Sequence, residues 1–231
     1  DDEFLIYKKE FTLPDGFNKG DVLLHFGAID QIAKIYLNGK FVIEHHGGYE
    51  PFSCCITDLL QELNTLTVVV KDNLDTAVLP YGKQKHKRGG MWYTPVSGIW
   101  QTVWLESVPL EYINGITINC DDKSAHVSVS GVKSGVLTLH TPDGDKHFDL
   151  KDGKVEIKLE NPLLWSPETP NIYNFTLKSG EDRVESYLAF RKIESKIVDG
   201  IPRLCLNGKP YFFHGLLDQG YFPDGFYTPK S

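Results

Sequence analysis

Trp92-Tyr-Thr-Pro-Val-Ser-Gly-Ile-Trp-Gln-Thr-Val-Trp-Leu-Glu106 decides how this chain is read. Three of its four tryptophans fall in this run, which is interrupted by Pro95 and Gly98 and is too specialised to be generic core. From Ile99 to Glu106 large and polar residues alternate, the pattern of a strand that buries one face. Ser97-Gly98 marks a bend ahead of that strand.

Upstream, short strands are separated by turn signals. Phe4 to Phe11 is followed by Leu13-Pro14-Asp15-Gly16; Val22 to Phe26 and Ala33 to Leu37 come next. Asn38-Gly39 then leads into Lys40 to Ile43. Both turn residues tolerate positive φ, so this predicts a type I′ hairpin. Ile56 to Leu63 reads as one helical turn capped by Thr57 or Asp58, and Leu66 to Val70 returns to strand. Strands at this spacing predict an all-β jelly-roll sandwich over residues 1–109.

After Val108-Pro109-Leu110 a second series begins: Ile113 to Asn119, Ala125 to Val129, Val136 to His140, Val155 to Leu159 and Tyr173 to Leu177. Turns at Pro142-Asp143-Gly144, Asp152-Gly153 and Ser179-Gly180 have the spacing of an immunoglobulin-like sandwich, assigned to residues 110–191. The segment from Asn161 to Tyr173 carries Pro162, Pro167 and Pro170, each fixing a backbone dihedral, and reads as a rigid loop. Residues 192–231 belong to neither sandwich. Leu204 to Phe213 reads as a second Asn-Gly hairpin, after which the sequence becomes polar and aromatic.

Composition narrows the function classes. With 41% apolar and 24% charged residues the chain is an ordinary globular one. A net charge of −7, spread along the sequence, weakly repels phosphate backbones and anionic membranes, so no nucleic-acid partner is expected. The basic cluster of Lys83, Lys85, His86, Lys87 and Arg88 reads as a solvated loop tip. No apolar run reaches the roughly 18–20 residues of a membrane span, and no membrane partner is expected. Cys54, Cys55, Cys120 and Cys205 form no CxxC pair or His/Cys metal spacing. Neither metal nor cofactor is expected. Free thiols in a reducing compartment are the simplest account, which makes the cytoplasm the expected location, although a signal peptide could have been removed from a chain that does not begin with Met.

In order along the chain, Leu24 to Asp30, Asn38-Gly39, Gly47-Gly48-Tyr49 with Pro51-Phe52, Pro80 to Gln84, and Trp92 to Glu106 resemble the N-terminal sugar-binding-type jelly roll of glycoside hydrolase family 2. That family contains β-galactosidases, β-glucuronidases and β-mannosidases. Asn161-Pro162, Leu164-Trp165, Pro167, Pro170-Asn171, Tyr173 and Tyr187 to Arg191 resemble its immunoglobulin-like second domain. Phe213 to Tyr221 with Pro223-Asp224-Gly225 resembles the first strand and loop of its catalytic (β/α)₈ barrel. The resemblance implies a truncated barrel at 192–231 and a jelly roll lacking its first strands.

It also implies retaining chemistry on terminal β-glycosides, which needs two carboxyl groups about 5–5.5 Å apart, one nucleophile and one proton donor. In the family these lie on later barrel strands, the acid/base following an Asn. This sequence contains no Asn-Glu pair, so no catalytic residue is carried over. The expected role is that of the non-catalytic N-terminal portion of a glycosidase, with a carbohydrate-binding module or a structural, oligomerising unit as the other readings. An apolar face that meets the barrel in the family would favour a homo-oligomer here.

Asp218, Gln219 and Tyr221 sit just past the expected barrel strand, where barrel active sites are built, and are the candidate substrate contacts of the intact parent. Asp72/Asp75 and Asp121/Asp122 lie beside Asn or Lys in turns and read as structural. His45-His46 face opposite ways on a strand and read as hydrogen-bonding loop residues. The rings from Trp92 to Trp104 could stack on sugars, but alternate positions of a sandwich strand are usually core.

Overall fold

The computed structural model describes residues 3–76, 78–222 and 225–229; Pro223 and Asp224, from the segment expected to open a barrel, lie outside them. Its described residues fall into two compact units, one formed from residues 1–108 with 217–231 and the other from residues 109–216. The fold is all-β. Its helical pieces, among the described residues, are the 3₁₀ turns Thr57–Leu59 and Leu74–Thr76, and no helix is long and apolar enough to cross a membrane.

The first unit contains β1 (Leu5–Phe11), β2 (Asp21–Phe26), β3 (Ile29–Asp30), β4 (Ile32–Leu37), β5 (Lys40–His46), β6 (Phe52–Cys55), β7 (Asn64–Lys71), β8 (Gly98–Ile99) and β9 (Val103–Val108). They form a four-stranded sheet, β1-β7-β4-β5, a three-stranded sheet, β6-β2-β9, and a small β3-β8 pair. The buried residues of β7 recur every second position, so Leu66, Val68 and Val70 all face one way. They meet Ala33, Ile35 and Leu37 of β4 and Val22, Leu24 and Phe26 of β2 in one buried core. The β4–β5 turn has Asn38 at φ 52° and Gly39 at φ 77°, as the type I′ hairpin requires.

Two sequence expectations are corrected here. The run from Ile99 to Glu106 is not one strand. β8 pairs Ile99 with Ile29, and the chain then leaves the ladder, with the Trp100 and Gln101 amides both directed at the Ala28 carbonyl (3.3 and 3.5 Å), before β9 resumes alongside β2. Gly27-Ala28 breaks the facing strand at the same level, and Gly27 donates to the Thr102 carbonyl at 2.9 Å. Two irregular stretches therefore oppose each other, and Trp100 is turned out of the core.

The second correction concerns Ile56 to Leu63. The helical turn is only Thr57–Leu59, and no side chain caps it. Thr57 Oγ1 instead accepts from the Val22 amide at 2.8 Å and donates to Asp21 Oδ1 at 3.1 Å, tying the turn to β2.

The second unit holds β10 (Gly115–Cys120), β11 (Ser124–Ser130), β12 (Ser134–Thr141), β13 (Gly144–Lys151), β14 (Lys154–Lys158), β15 (Tyr173–Ser179) and β16 (Asp182–Leu188). β13 and β14 share only the pair Lys151–Lys154 beside the Asp152-Gly153 turn. The strands thus divide into β10-β11-β14 and β13-β12-β15-β16, folded over one core. Ala125, Val127 and Ile157 enter that core from the first group, and Leu137, Leu139, Phe175 and Leu177 from the second. The proline-rich loop is held by Leu163 N–H to Tyr173 Oη (2.7 Å) and Asn171 Nδ2 to the Leu164 carbonyl (3.0 Å).

β17 (Ile193–Val198), β18 (Ile201–Leu206) and β19 (Lys209–Pro210) form a separate sheet in the second unit. Asn207-Gly208 makes the expected turn at φ 51° and 80°, and Asp199-Gly200 makes a second at φ 53° and 76°. Residues 211–221 form no strand. The described residues from Leu217 onward pack with the first unit.

Candidate functional site

Within the first unit, loops meet Gln219, Gly220, Tyr221 and Tyr227 around a cavity of about 450 Å³. The sequence delivers aromatic groups to it from four places. Tyr49 follows Gly47-Gly48 after β5, Trp100 occupies the break between β8 and β9, Tyr93 lies in the long loop before β8, and Tyr221 and Tyr227 come from the terminal segment. Trp100 stands at 57° to Tyr227, with ring centres 4.8 Å apart, and at 65° to Tyr49, at 6.1 Å. Tyr93 and Tyr221 stack at 4.5 Å and 24°.

The long loop has no regular ladder and is fixed by side chains. Gln84 is buried; its Oε1 accepts from the Val96 amide at 2.5 Å, and its Nε2 is within reach of the Tyr81 carbonyl (3.0 Å), Tyr49 Oη (3.4 Å) and Tyr227 Oη. The Tyr93 amide donates to the Lys83 carbonyl at 2.7 Å. The basic cluster makes contacts of its own: Lys85 lies 4.1 Å from the centre of the Trp92 ring, Arg88 donates to Thr94 at 2.9 Å and His86 is 2.7 Å from Asp75.

Of the three candidate contacts, Gln219 and Tyr221 line the cavity and Asp218 does not. Gln219 Oε1 accepts from Tyr93 Oη and from Lys83 Nζ (3.3 Å), and Tyr221 Oη donates to the Thr94 carbonyl. Asp218 Oδ1 accepts from the Gly220 amide at 2.7 Å, shaping the turn between its two neighbours.

Asp30 stands behind the cavity wall. It is 2% exposed, and its Oδ1 has no hydrogen-bond partner. A Cβ at residue 48 would overlap its carboxyl group, so only glycine fits there. Burial, reinforced by the nearby Asp72 carboxylate, pushes the Asp30 pKa up to about 7. Burial also raises the pKa of Tyr49 and Tyr227, and the charge of Asp30 adds to both shifts.

Sequence reasoning did not select Tyr49, Gln84, Trp100, Tyr227 or Asp30 as site residues. Gly47-Gly48-Tyr49 and the Pro80 to Gln84 stretch were the available signals, each a cluster of turn residues beside an aromatic. Around Trp100 the closing strand of the opening run divides: Trp104 lies on the outer sheet face, 43% exposed and stacked on His25 at 4.8 Å, while Val103 and Leu105 pack against the core.

The remaining singled-out groups have local roles. Asp72 accepts from the Leu74 amide and from Ser97 Oγ, and Asp121 from the Lys123 and Ser124 amides. His45 stacks on Phe52 at 4.0 Å, and His46 is 2.9 Å from Glu44. Among the described residues no group of three or more His, Cys, Asp or Glu is arranged to hold a metal ion.

The described residues thus form a jelly roll followed by an immunoglobulin-like sandwich, with a ring-lined cavity on the first. Residues 1–97 match the glycosyl hydrolase 2 galactose-binding domain-like family and residues 115–191 match glycosyl hydrolases family 2. The chain belongs to glycoside hydrolase family 2. It is 27% identical to a β-galactosidase of Thermoanaerobacter pseudethanolicus, over 94% of this chain and 32% of that protein. It is 26% identical to a putative β-glucuronidase of Formosa agariphila, over 90% of this chain and 27% of the relative. In fold it is similar to the β-glucuronidase of Ruminococcus gnavus solved with D-glucaro 1,5-lactone, at a TM-score of 0.77 and 21% identity, covering 98% of this chain and 42% of that one. The chain therefore spans about a third of the length of these curated relatives.

Proposed function

We propose that this chain is the non-catalytic N-terminal portion of a retaining family 2 glycoside hydrolase whose whole polypeptide hydrolyses terminal β-glycosides such as β-galactosides. The observation that carries the proposal is the pair of family matches, in order, in a chain whose 231 residues contain no Asn-Glu pair. Retaining hydrolysis needs two carboxyl groups facing one glycosidic bond. Among the described residues the acid that acts on the buried carboxyl of Asp30 is Asp72, and Asp72 accepts from the Leu74 amide and Ser97 Oγ.

In the whole enzyme Gln219 and Tyr221 contact the sugar, with Asp218 setting the turn between them; their place at the cavity supports this role. The partner is a carbohydrate. Four free cysteines favour a reducing compartment, the cytoplasm. Exposed Ile197, Leu204, Leu216 and Leu217 favour self-association into a homo-oligomer. The test is a rate assay with 4-nitrophenyl β-D-galactopyranoside and the matching β-D-glucuronide. The purified 231-residue chain should release nitrophenol no faster than a protein-free blank, and turnover above the blank would overturn the proposal.

A further inference from the structure

We infer that β1 is a pairing edge for a second copy of this chain, and that two chains join antiparallel about a two-fold axis at Ile6. The inference does not rest on the proposed function, and the surface differs from that of the exposed Ile197 and Leu204.

β1 ends the four-stranded sheet β1-β7-β4-β5. It has β7 on one side and, among the described residues, no strand on the other. Such an edge presents unpaired backbone N–H and C=O groups that a further strand can satisfy. Phe4, Leu5, Ile6 and Tyr7 are all exposed, Ile6 to 68%, and they are consecutive, so both faces of the strand are apolar at this end. Lys8 and Lys9 follow, also exposed, and charges of this kind keep an edge from accepting an unmatched strand. The occupant must therefore answer both the apolar run and the lysines.

A second β1 does so in one register. A two-fold dimer is isologous, and with antiparallel strands its axis stands normal to the sheet, so one residue faces its own copy and the others pair symmetrically about it. Centred on Ile6, Leu5 faces Tyr7, Phe4 faces Lys8 and Glu3 faces Lys9, each twice. Apolar groups then meet apolar groups, the Lys8 stem lies against the Phe4 ring, and opposite charges close both ends. Paired residues share a face, so the Leu5–Tyr7 face and the Phe4–Ile6 face each continue across the junction. Other centres lose this match. Phe4 or Leu5 at the axis sets Glu3 against Leu5 or Tyr7; Tyr7 sets Leu5 against Lys9 and Ile6 against Lys8; Lys8, Lys9 or Glu10 sets like charges together. Ile6 is the centre at which the apolar and charge patterns agree.

Sedimentation equilibrium of the 231-residue chain at low salt, from about 10 µM to about 1 mM, tests this. A monomer–dimer equilibrium should appear within that range. Ile6→Lys, which places two like charges at the axis, should raise the dissociation constant by about tenfold or more. Glu3→Lys should raise it by about fivefold or more, because each change falls on two symmetric pairs, and adding Lys9→Glu should return it to within about threefold of wild type. Leu204→Lys, on β18, should leave it unchanged. If Ile6→Lys loses its cooperative melt, the Glu3 and Lys9 exchange decides alone. A monomer at every concentration leaves the edge to some other strand and overturns the inference. So does failure of the exchange to restore association, or a dimer abolished by Leu204→Lys and kept by Ile6→Lys. The readout is association, so its failure is distinguishable from failure of the proposed function, which is read as turnover.

Discussion

Trp100 donates its indole N–H to the carbonyl of Gly48 at 2.7 Å, linking the break between β8 and β9 to the loop that follows β5. The bond sets the ring that forms one side of the cavity. It also fixes Gly48 against the Asp30 carboxyl group, where no side chain fits. Trp100→Phe keeps a ring and removes the bond, and should cost about 1 kcal/mol in urea unfolding. Gly48→Ala forces a methyl group into the Asp30 carboxyl and should cost more, about 2–3 kcal/mol. Equal stability of the two variants would contradict this arrangement.

Asp30 makes stability depend on pH in a direction opposite to most carboxylates. Its folded pKa, about 7, lies above the ordinary 3.8, so between these values the folded state holds a proton that the unfolded state releases. Stability from this group is complete below the ordinary carboxylate range, declines as pH rises through the window, and levels off above about 7. A loss of up to about 4 kcal/mol corresponds to that shift. Asp30→Asn should therefore gain stability relative to the wild type at pH 8 and show little difference at pH 4. Denaturant unfolding at both values checks this, and an offset independent of pH would contradict it.

Asn38 serves the hairpin turn and the packing beneath it. Its side chain accepts from the Thr65 amide (2.8 Å) through Oδ1, and through Nδ2 donates to the Leu59 carbonyl (2.8 Å) and Asn64 Oδ1 (3.1 Å). Asn38→Gly satisfies the backbone at φ 52° but leaves these groups unpaired. It should cost about 2–3 kcal/mol in thermal or urea unfolding. A loss of only a few tenths would mean that the turn conformation alone matters.

Sheet positions were legible where pattern and turn chemistry agreed. The alternation of Leu66, Val68 and Val70 and the Asn38-Gly39 dipeptide rest on local rules: side chains alternate along a strand, and few residues tolerate positive φ. Trp100 was not legible, because its departure from the ladder depends on Gly27-Ala28, distant in sequence but opposite it in the fold. Tyr227 joins Tyr49 only because the terminal segment packs on the first unit, Gln84 reaches Tyr49 from the long loop before β8, and no periodicity records such long-range contacts. Asp30 looks like an ordinary loop acid until its neighbours bury it. Gln219 and Tyr221 could be nominated only through the family resemblance, which places them just past an expected barrel strand; the turn role of Asp218 could not.

The cavity is tested most directly by the indole N–H resonances in a ¹⁵N–¹H correlation spectrum. The chain has four tryptophans, and Trp100 is the one whose ring lines the cavity, so assignment by single substitution separates it from Trp92, Trp104 and Trp165. On titration with methyl β-D-galactopyranoside or methyl β-D-glucopyranoside, the Trp100 signal should move saturably while the Trp104 signal stays in place. Saturable movement of Trp104 instead, or no movement of Trp100 at saturating concentrations of both sugars, would contradict the account.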